Sequence, residues 1–450
     1  ARGFEGLGHS PLWRRKQHLP LICTTYAYQW QQLLFDQWQD LDDGVTRCPH
    51  CGSHQVAQKE NKPRRKRYQD AQGDWQESEG YRYYCRNSQC DHGSFTDYPQ
   101  GVRLYSCYPV ERVIWGVLVY MQLRTTYRRA ATAVGVSHVT LWRWANLVGQ
   151  HALPTAALFG VVQCSGVVGV DEKWVLVPKN DKPDGKRKRW MYVYLAVDVH
   201  TYDLLHIDIF PYNGKDQARA FLQALKLKGY QPRVIVTDMN QDYSDPIKEV
   251  FPKTKHHECI FHALQYAQRL IKEVYGNDYA KTHPIAQTLK LDIYKIFKAK
   301  SRKTVYKRYL EVMALKKEYV TLNPDSKRIF DFLERHYPKL VNAVEDPLTP
   351  LTNNTVELVI RRFDQHYQNM TGFDSIETAR TYLNLFELSY RFTPFAKDNR
   401  PVEGRLIDIR GKCPLEIAGY DISNIPVAKM MRNQLLPCTP FFDTLSDPTE

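Results

Sequence analysis

What most constrains this chain is a series of short, apolar, β-branched segments that begins at Gly166. GVVGVDEKWVLV (166–177), WMYVYLAVDVH (190–200) and DLLHIDIF (203–210) predict three strands separated by turn residues. GKDQARAFLQALKLKG (214–229) changes to helical spacing, with Ala218, Phe221, Leu222 and Leu225 on one face and Gly229 as its stop. RVIVTD (233–238) predicts a short buried strand and KHHECI (255–260) a weaker one. From His262 to about His336 the spacing is helical and the composition basic. Three antiparallel strands, a helix, two further strands and then helices make an α/β order built on one mixed sheet.

Acids interrupt these apolar strands. Asp171 lies near the middle of the first, and Asp238 ends RVIVTD. An acid in a short apolar strand is costly unless it meets a cation, and two acids on adjacent strands can share a divalent ion through hard oxygen ligands. Glu357 is a third candidate, in LTNNTVELVIRRF (351–363). There Thr352 or Asn353 is expected to cap a helix whose amide end favours negative charge. That helix should turn Val356, Val359, Ile360 and Phe363 inward and Arg361, Gln365 and Gln368 outward, with Glu357 at the edge of the apolar stripe. Taken singly, each acid is equally a cap, an ion-pair member or a solvated group. Asp198 and Asp208 also end or interrupt strands, and Glu172 adjoins Asp171.

Ten cysteines are present, and four of them form two close pairs, Cys48 with Cys51 and Cys85 with Cys90. The others are scattered, which is not the crowding of a disulfide framework and points to a reducing compartment. Four thiolates at tetrahedral geometry make a closed structural zinc site with no open position for chemistry. His50, His54 and His92 remain alternative ligands. Between the pairs, KENKPRRKR (59–67) supplies Arg64, Arg65, Lys66 and Arg67 to an expected basic loop beside Trp75, Tyr81, Tyr83 and Tyr84, or equally to an exposed hairpin with solvated lysines.

LRTTYRRAATAVGVSHVTLWRWANLVG (123–149) has the grammar of a helix-turn-helix. One helix carries Ala130, Ala131 and Val134; Gly135 makes the turn; Ser137 caps a second helix expected to present His138, Thr140, Arg143 and Trp144 to a major groove. Val139 falls in the apolar spacing. Lys and Arg number 62 against 49 Asp and Glu, a formal charge of +13 that favours a polyanionic partner. KPDGKRKRW (182–190), with Lys186, Arg187 and Lys188, and KIFKAKSRKTVYKR (295–308) are further basic tracts, each equally a solvated face. The longest apolar stretch, Val113 to Met121, falls far short of the roughly 20 residues of a membrane span. Arg2, Glu5, Arg14, Arg15 and Lys16 interrupt any apolar leader at the start, so a cytoplasmic, nucleoid-associated protein is expected.

GVDEKW, VIVTDMN and TNNTVE together resemble the three acidic motifs of the DDE transposases of bacterial insertion sequences. CIFH, with Cys259 and His262, resembles the Cys-x2-His signature of the Mutator-like group, in which a helical insertion separates the second Asp from the Glu. The resemblance covers roughly residues 46–390. It implies an RNase H-like catalytic domain, a mixed sheet flanked by helices with an all-helical insertion, preceded by a small zinc ribbon and a helix-turn-helix. It implies two magnesium or manganese ions held by Asp171, Asp238 and Glu357, with His262 near the scissile phosphate and Arg361 and Arg362 toward DNA. The expected activity is metal-dependent cleavage and strand transfer on double-stranded DNA by a homodimer. An inactive DNA-binding regulator derived from such an enzyme, or a nuclease of the same fold, are the alternatives. The expected division is a helical lead-in (1–45), zinc ribbon (46–100), helix-turn-helix (107–150), catalytic domain (166–262 and 345–392), helical insertion (263–344) and a C-terminal extension (393–450). Residues 154–166 are the expected linker.

Overall fold

The computed structural model describes residues 46, 48, 51, 53–69, 74–90, 93–97, 107–108, 110–150, 159, 161–177, 190–344, 346–396 and 408–422. The expected helical lead-in, residues 154–158 and 160 of the expected linker, and Lys186, Arg187 and Lys188 lie outside the described residues.

The first sheet has four antiparallel strands, β1 (Val56–Gln58), β2 (Arg64–Gln69), β3 (Trp75–Cys85) and β4 (Ser94–Asp97), and the long β3 pairs with all the others. The basic tract is therefore one arm of an antiparallel hairpin, the alternative to the basic loop, because Arg64 to Gln69 pair residue by residue with Gly80 to Trp75. Two of its cations are already matched by acids: Arg64 meets Glu60 at 3.2 Å and Arg65 meets Glu79 at 3.0 Å.

Three helices follow: α1 (Val110–Leu123), α2 (Tyr127–Val134) and α3 (His138–Gln150). The Thr126 side chain caps α2 by accepting from the Arg129 amide. Gly135, at φ 75°, ends that helix in the left-handed region where a side chain is strained. Ser137 Oγ then accepts from the Thr140 amide at 3.0 Å and starts α3, as expected. The orientation of α3 corrects two expectations. Trp144 is buried against Tyr108 and fills the space left by Gly116, so it is core and not a presented residue. Val139 is exposed, in company with His138, Trp142 and Arg143.

The second sheet has the order β7–β6–β5–β8–β9, with β5 (Val167–Leu176), β6 (Trp190–Asp198), β7 (Leu204–Phe210), β8 (Val234–Thr237) and β9 (Lys255–Glu258). The first three strands form an antiparallel meander, while β5–β8 and β8–β9 are parallel. Helix α4 (Lys215–Leu227) buries Ala218, Phe221, Leu222 and Leu225 on one face of the sheet, against Val168, Val170 and Tyr194. The short helix α5 (Ser244–Val250) packs beside it and leads into β9.

The helical insertion comprises α6 (Ile260–Tyr275), α7 (Tyr279–Thr282), α8 (Pro284–Phe297), α9 (Arg302–Ala314), α10 (Lys316–Leu322) and α11 (Lys327–Leu340). It has a core of its own around Leu270, Ile271, Leu289, Ile293, Phe330 and Leu333. A buried acid ties it to the sheet: Glu258 at the end of β9 holds His336 at 2.5 Å and Lys339 at 2.9 Å, both on α11.

Helices α12 (Asn354–Met370) and α13 (Ile376–Phe392) cover the other sheet face, where Val356, Val359, Phe363, Leu383 and Phe386 share a core with Val175, Val193, Leu195 and Val197. The same core takes in α1 and α3. Gly149 brings α3 against α13 so closely that a Cβ there would stand 2.2 Å from the Thr381 carbonyl oxygen. The described part of the C-terminal extension joins this body as well. The short helix α14 (Pro414–Ala418) buries Cys413 and Leu415 in the same core, and the Tyr420 hydroxyl accepts from the Gln163 amide at 2.6 Å.

Candidate active site and metal centre

Parallel pairing decides where the first two acids stand. The β5–β8 register sets Gly169 beside Val236, and carried forward two residues it sets Asp171 beside Asp238. The β8–β9 register ends at Thr237 beside Glu258, and the next amide, Cys259, donates to the Thr237 carbonyl at 2.8 Å. The chain then enters α6, whose first turn carries His262. Glu357, in the first turn of α12, arrives from the far side of the insertion, with its carboxylate 3.5 Å from His262 Nε2. Asp171, Asp238, Glu357 and His262 thus lie within electrostatic reach of one another, where the parallel pairing of β5 and β8 ends.

Asn353 holds this meeting together in a way its sequence position did not announce. It occupies the cap position of α12, yet its side chain makes no capping bond. Its Nδ2 donates instead to the carbonyl of Val170, the residue before Asp171, at 3.1 Å. Its backbone amide donates to Cys259 Sγ at 3.4 Å, and its carbonyl accepts the amides of Val356 and Glu357. One buried residue therefore links the strand bearing Asp171, the turn leading to His262 and the helix bearing Glu357. Gly169 makes room for it: a Cβ there would lie 2.3 Å from Val356 and 2.5 Å from Asn353 Oδ1.

Burial raises Asp171, Asp238 and the adjoining Glu172 alike. Burial, followed by the charges of Glu172 and Asp238, pushes the Asp171 carboxyl up to about 8. Burial also raises Asp238, against the Asn240 amide that donates to it at 2.9 Å. Cys259 beside His262 lifts the imidazole to about 9, aided by Glu357 and Asp171. For Cys259 itself burial acts upward, but His262 and the Asn353 amide bring the thiol below its ordinary value. Other strand acids have local work. Asp198 accepts from Ser165, Thr201 and His200 and pins a turn. Asp208 meets Arg380 at 3.3 Å. Glu172, on the opposite face of β5, accepts from Asn213, Asn240 and the Tyr243 hydroxyl. Two half-buried carboxyl groups raised by desolvation, with the Glu357 carboxylate and one imidazole beside them, offer donors of the kind a divalent cation takes.

The second centre is the thiol cluster. Sγ atoms of Cys48, Cys51, Cys85 and Cys90 all lie within 4.8 Å of one another, with Cys51 to Cys85 at 3.5 Å and Cys48 to Cys90 at 3.8 Å. Four sulfurs held about 2.3 Å from one zinc ion would be about 3.8 Å apart, so the residues fit that ion. His54 is described and stands outside the cluster, while His50 and His92 lie outside the described residues.

Residues expected to face DNA divide into two sets. His138 and Arg143 are exposed and Thr140 half-exposed on α3, and Arg361 is exposed on α12 beside Gln365 and Gln368. Arg362 is a correction: its guanidinium lies over the rings of Phe395 and Tyr390, at 4.6 and 5.6 Å, held by cation–π contact to the segment after α13.

With this geometry established, the comparisons with known proteins give a family. The model described as "Transposase IS66 family" matches residues 120–381, a span that includes Asp171, Asp238, Cys259, His262 and Glu357. A solved structure, the Drosophila P element transposase strand transfer complex, matches at 11% identity and a TM-score of 0.26, over 75% of this chain and 93% of that one. That likeness carries no argument here. No curated protein matches the chain.

Two expectations follow from the packing and charge. Gly169→Ala should destabilise the fold by about 1–3 kcal/mol, because overpacking meets backbone-anchored neighbours; denaturant titration reads this, and a stability within 0.5 kcal/mol of the parent (roughly the surface-mutation range) would remove the close approach. In the metal-free protein, Asp171 keeps its proton up to about 8 in the folded state but loses it near 3.8 when unfolded. The unfolded state then binds fewer protons, so stability should fall as pH rises between these values, by at most about 1.4 kcal/mol per unit. Asp171→Asn should flatten that slope in melts recorded in chelator.

Proposed function

The chain belongs to the IS66 transposase family, and from that premise we propose that it binds the ends of its mobile element and catalyses metal-dependent DNA cleavage and strand transfer. The observation that carries this reading is the convergence of Asp171, Asp238 and Glu357 beside His262. A meander of three strands continued by two parallel ones, with helices on both faces, supports an RNase H-like catalytic domain.

In this reading Asp171, Asp238 and Glu357 would hold magnesium or manganese. Ions bound there would polarise the scissile phosphate and lower the pKa of an attacking water or 3′-hydroxyl. The chain's own contribution is placement. Asn353 fixes the first and third carboxylates relative to each other, and the Asn240 amide fixes the second. His262, held by Cys259 and Glu357, keeps a positive charge at the rim where a phosphodiester would lie. No protein nucleophile is needed, since the attacking oxygen comes from water or DNA.

The remaining parts divide the DNA work. The α1–α3 unit acts as a helix-turn-helix, with His138, Thr140 and Arg143 facing the major groove. Arg64, Arg65, Lys66 and Arg67 on β2, the Lys186–Arg187–Lys188 tract and Arg361 contact phosphates. Cys48, Cys51, Cys85 and Cys90 hold one structural zinc. Pairing two element ends requires at least two protomers, so the working form is a homodimer.

Asp238→Asn separates binding from chemistry. It should abolish strand cleavage by about three orders of magnitude or more while leaving end-DNA affinity within a few-fold; normal cleavage by this variant would falsify the triad. The zinc assignment has its own test. Elemental analysis of reduced, unchelated protein should find about one zinc per chain, and Cys48→Ser should remove it and weaken DNA binding without unfolding the catalytic sheet.

A further inference from the structure

Strands β5 and β6 run on past the helices that cover them, and what they expose there is aromatic. Trp174 and Tyr192 are paired across the strands, as are Leu176 and Trp190. Side chains alternate between faces, so Trp174, Tyr192 and Trp190 share the face that carries Glu172 and Tyr194. Helix α4 covers that face as far as Tyr194, which packs on Phe221 at 5.4 Å between ring centres. Beyond it the rings stand open: Trp174 is 56% exposed and Trp190 48%. They lie near one another without stacking, with Trp174 6.4 Å from Trp190 and 5.7 Å from Tyr192, at interplanar angles of 54° and 75°. An exposed cluster of large rings on a soluble surface marks an interaction site.

We propose that Trp174, Tyr192 and Trp190 form a stacking platform for unpaired bases of DNA next to the cleavage site. This rests on the transposase reading above and adds a surface to it. Three observations select the occupant. Trp174 is three strand residues from Asp171, about 10 Å along β5 and on the opposite face, and the pairing of β5 with β8 stops at Gly169, so a strand leaving the carboxylates can round that edge and reach the rings within a few nucleotides. The sequence that joins the two strands, 178–189, carries Lys179, Lys182, Lys186, Arg187, Lys188 and Arg189 against Asp181 and Asp184, which matches a phosphate backbone. The open ring faces offer π surface, which bases present only when a strand is unstacked and unpaired, and stacking of this kind tolerates any sequence.

The test measures binding of a labelled oligothymidylate and of a duplex of equal length, with no magnesium or manganese added and no chelator, so that no cleavage occurs and the thiol-bound zinc is kept. Trp174→Ala and Trp190→Ala should each weaken single-strand binding about tenfold and leave duplex binding within about twofold, while Trp174→Phe, which keeps a stacking face, should retain most of the affinity. Thermal melts confirm folding, and quenching of tryptophan fluorescence by the oligothymidylate gives an independent reading in the unsubstituted protein. Single-strand binding unchanged in both alanine variants, with duplex binding intact, overturns the platform and leaves the proposed function standing. A parent protein that binds neither form overturns both. Substitutions that alter the oligomeric state but not single-strand affinity make the rings a contact between copies of the chain, which also overturns the proposal.

Discussion

The site depends on how closely α12 can lie on β5. Gly169 is the point of contact, and its missing side chain lets Val356 and Asn353 descend onto the strand. From that depth the Asn353 amide group reaches the Val170 carbonyl, and its backbone reaches Cys259. The first turn of α12 is then fixed relative to two strands and to α6. Glu357 owes its position to this clamp, because the helical insertion that separates it in sequence has a core of its own.

Among the described residues, acids taken out of water differ in how they are matched, and the contrast marks a candidate site. Glu258 is matched by His336 and Lys339, and Asp203 by Arg391 at 2.7 Å. Asp198 is surrounded by donors from one turn. These groups meet the requirement that a buried charge be paired or hydrogen-bonded. Asp171 receives the Glu172 amide at 2.8 Å and faces other acids, so burial raises it. An acid left short of positive charge in an otherwise well-paired interior is a functional-site candidate on physical grounds.

The helix-turn-helix segment illustrates how packing redistributes roles within a motif. Its turn chemistry was legible: Gly135 and Ser137 act as their residue types dictate. Which face of α3 reaches outward was not, because that depends on α1 and α13. Gly116 admits Trp144 and Gly149 admits Thr381, so the helix is rotated with Trp142 outward and Trp144 inward. Arg362 shows the same effect, since the aromatic rings that capture it come from Tyr390 and from Phe395 beyond the end of α13. No helix among the described residues is long and apolar enough to cross a membrane, in keeping with the short apolar runs of the sequence.

Local chemistry let the sequence alone determine strands β5 to β9 and helix α4, though not the short α5, together with the apolar stripe of α12 and the grouping of four cysteines. Each of these follows from side-chain period or from ligand spacing over a few residues. The approach of Glu357 to His262, the use of Asn353 as a clamp rather than a cap, the need for glycine at 169 and the open rings of Trp174 and Trp190 were decided by tertiary structure. The physical reason is that all four turn on which residue of a distant element arrives at a given point. Parallel strand register and helix depth set that arrival, and no local pattern encodes either of them.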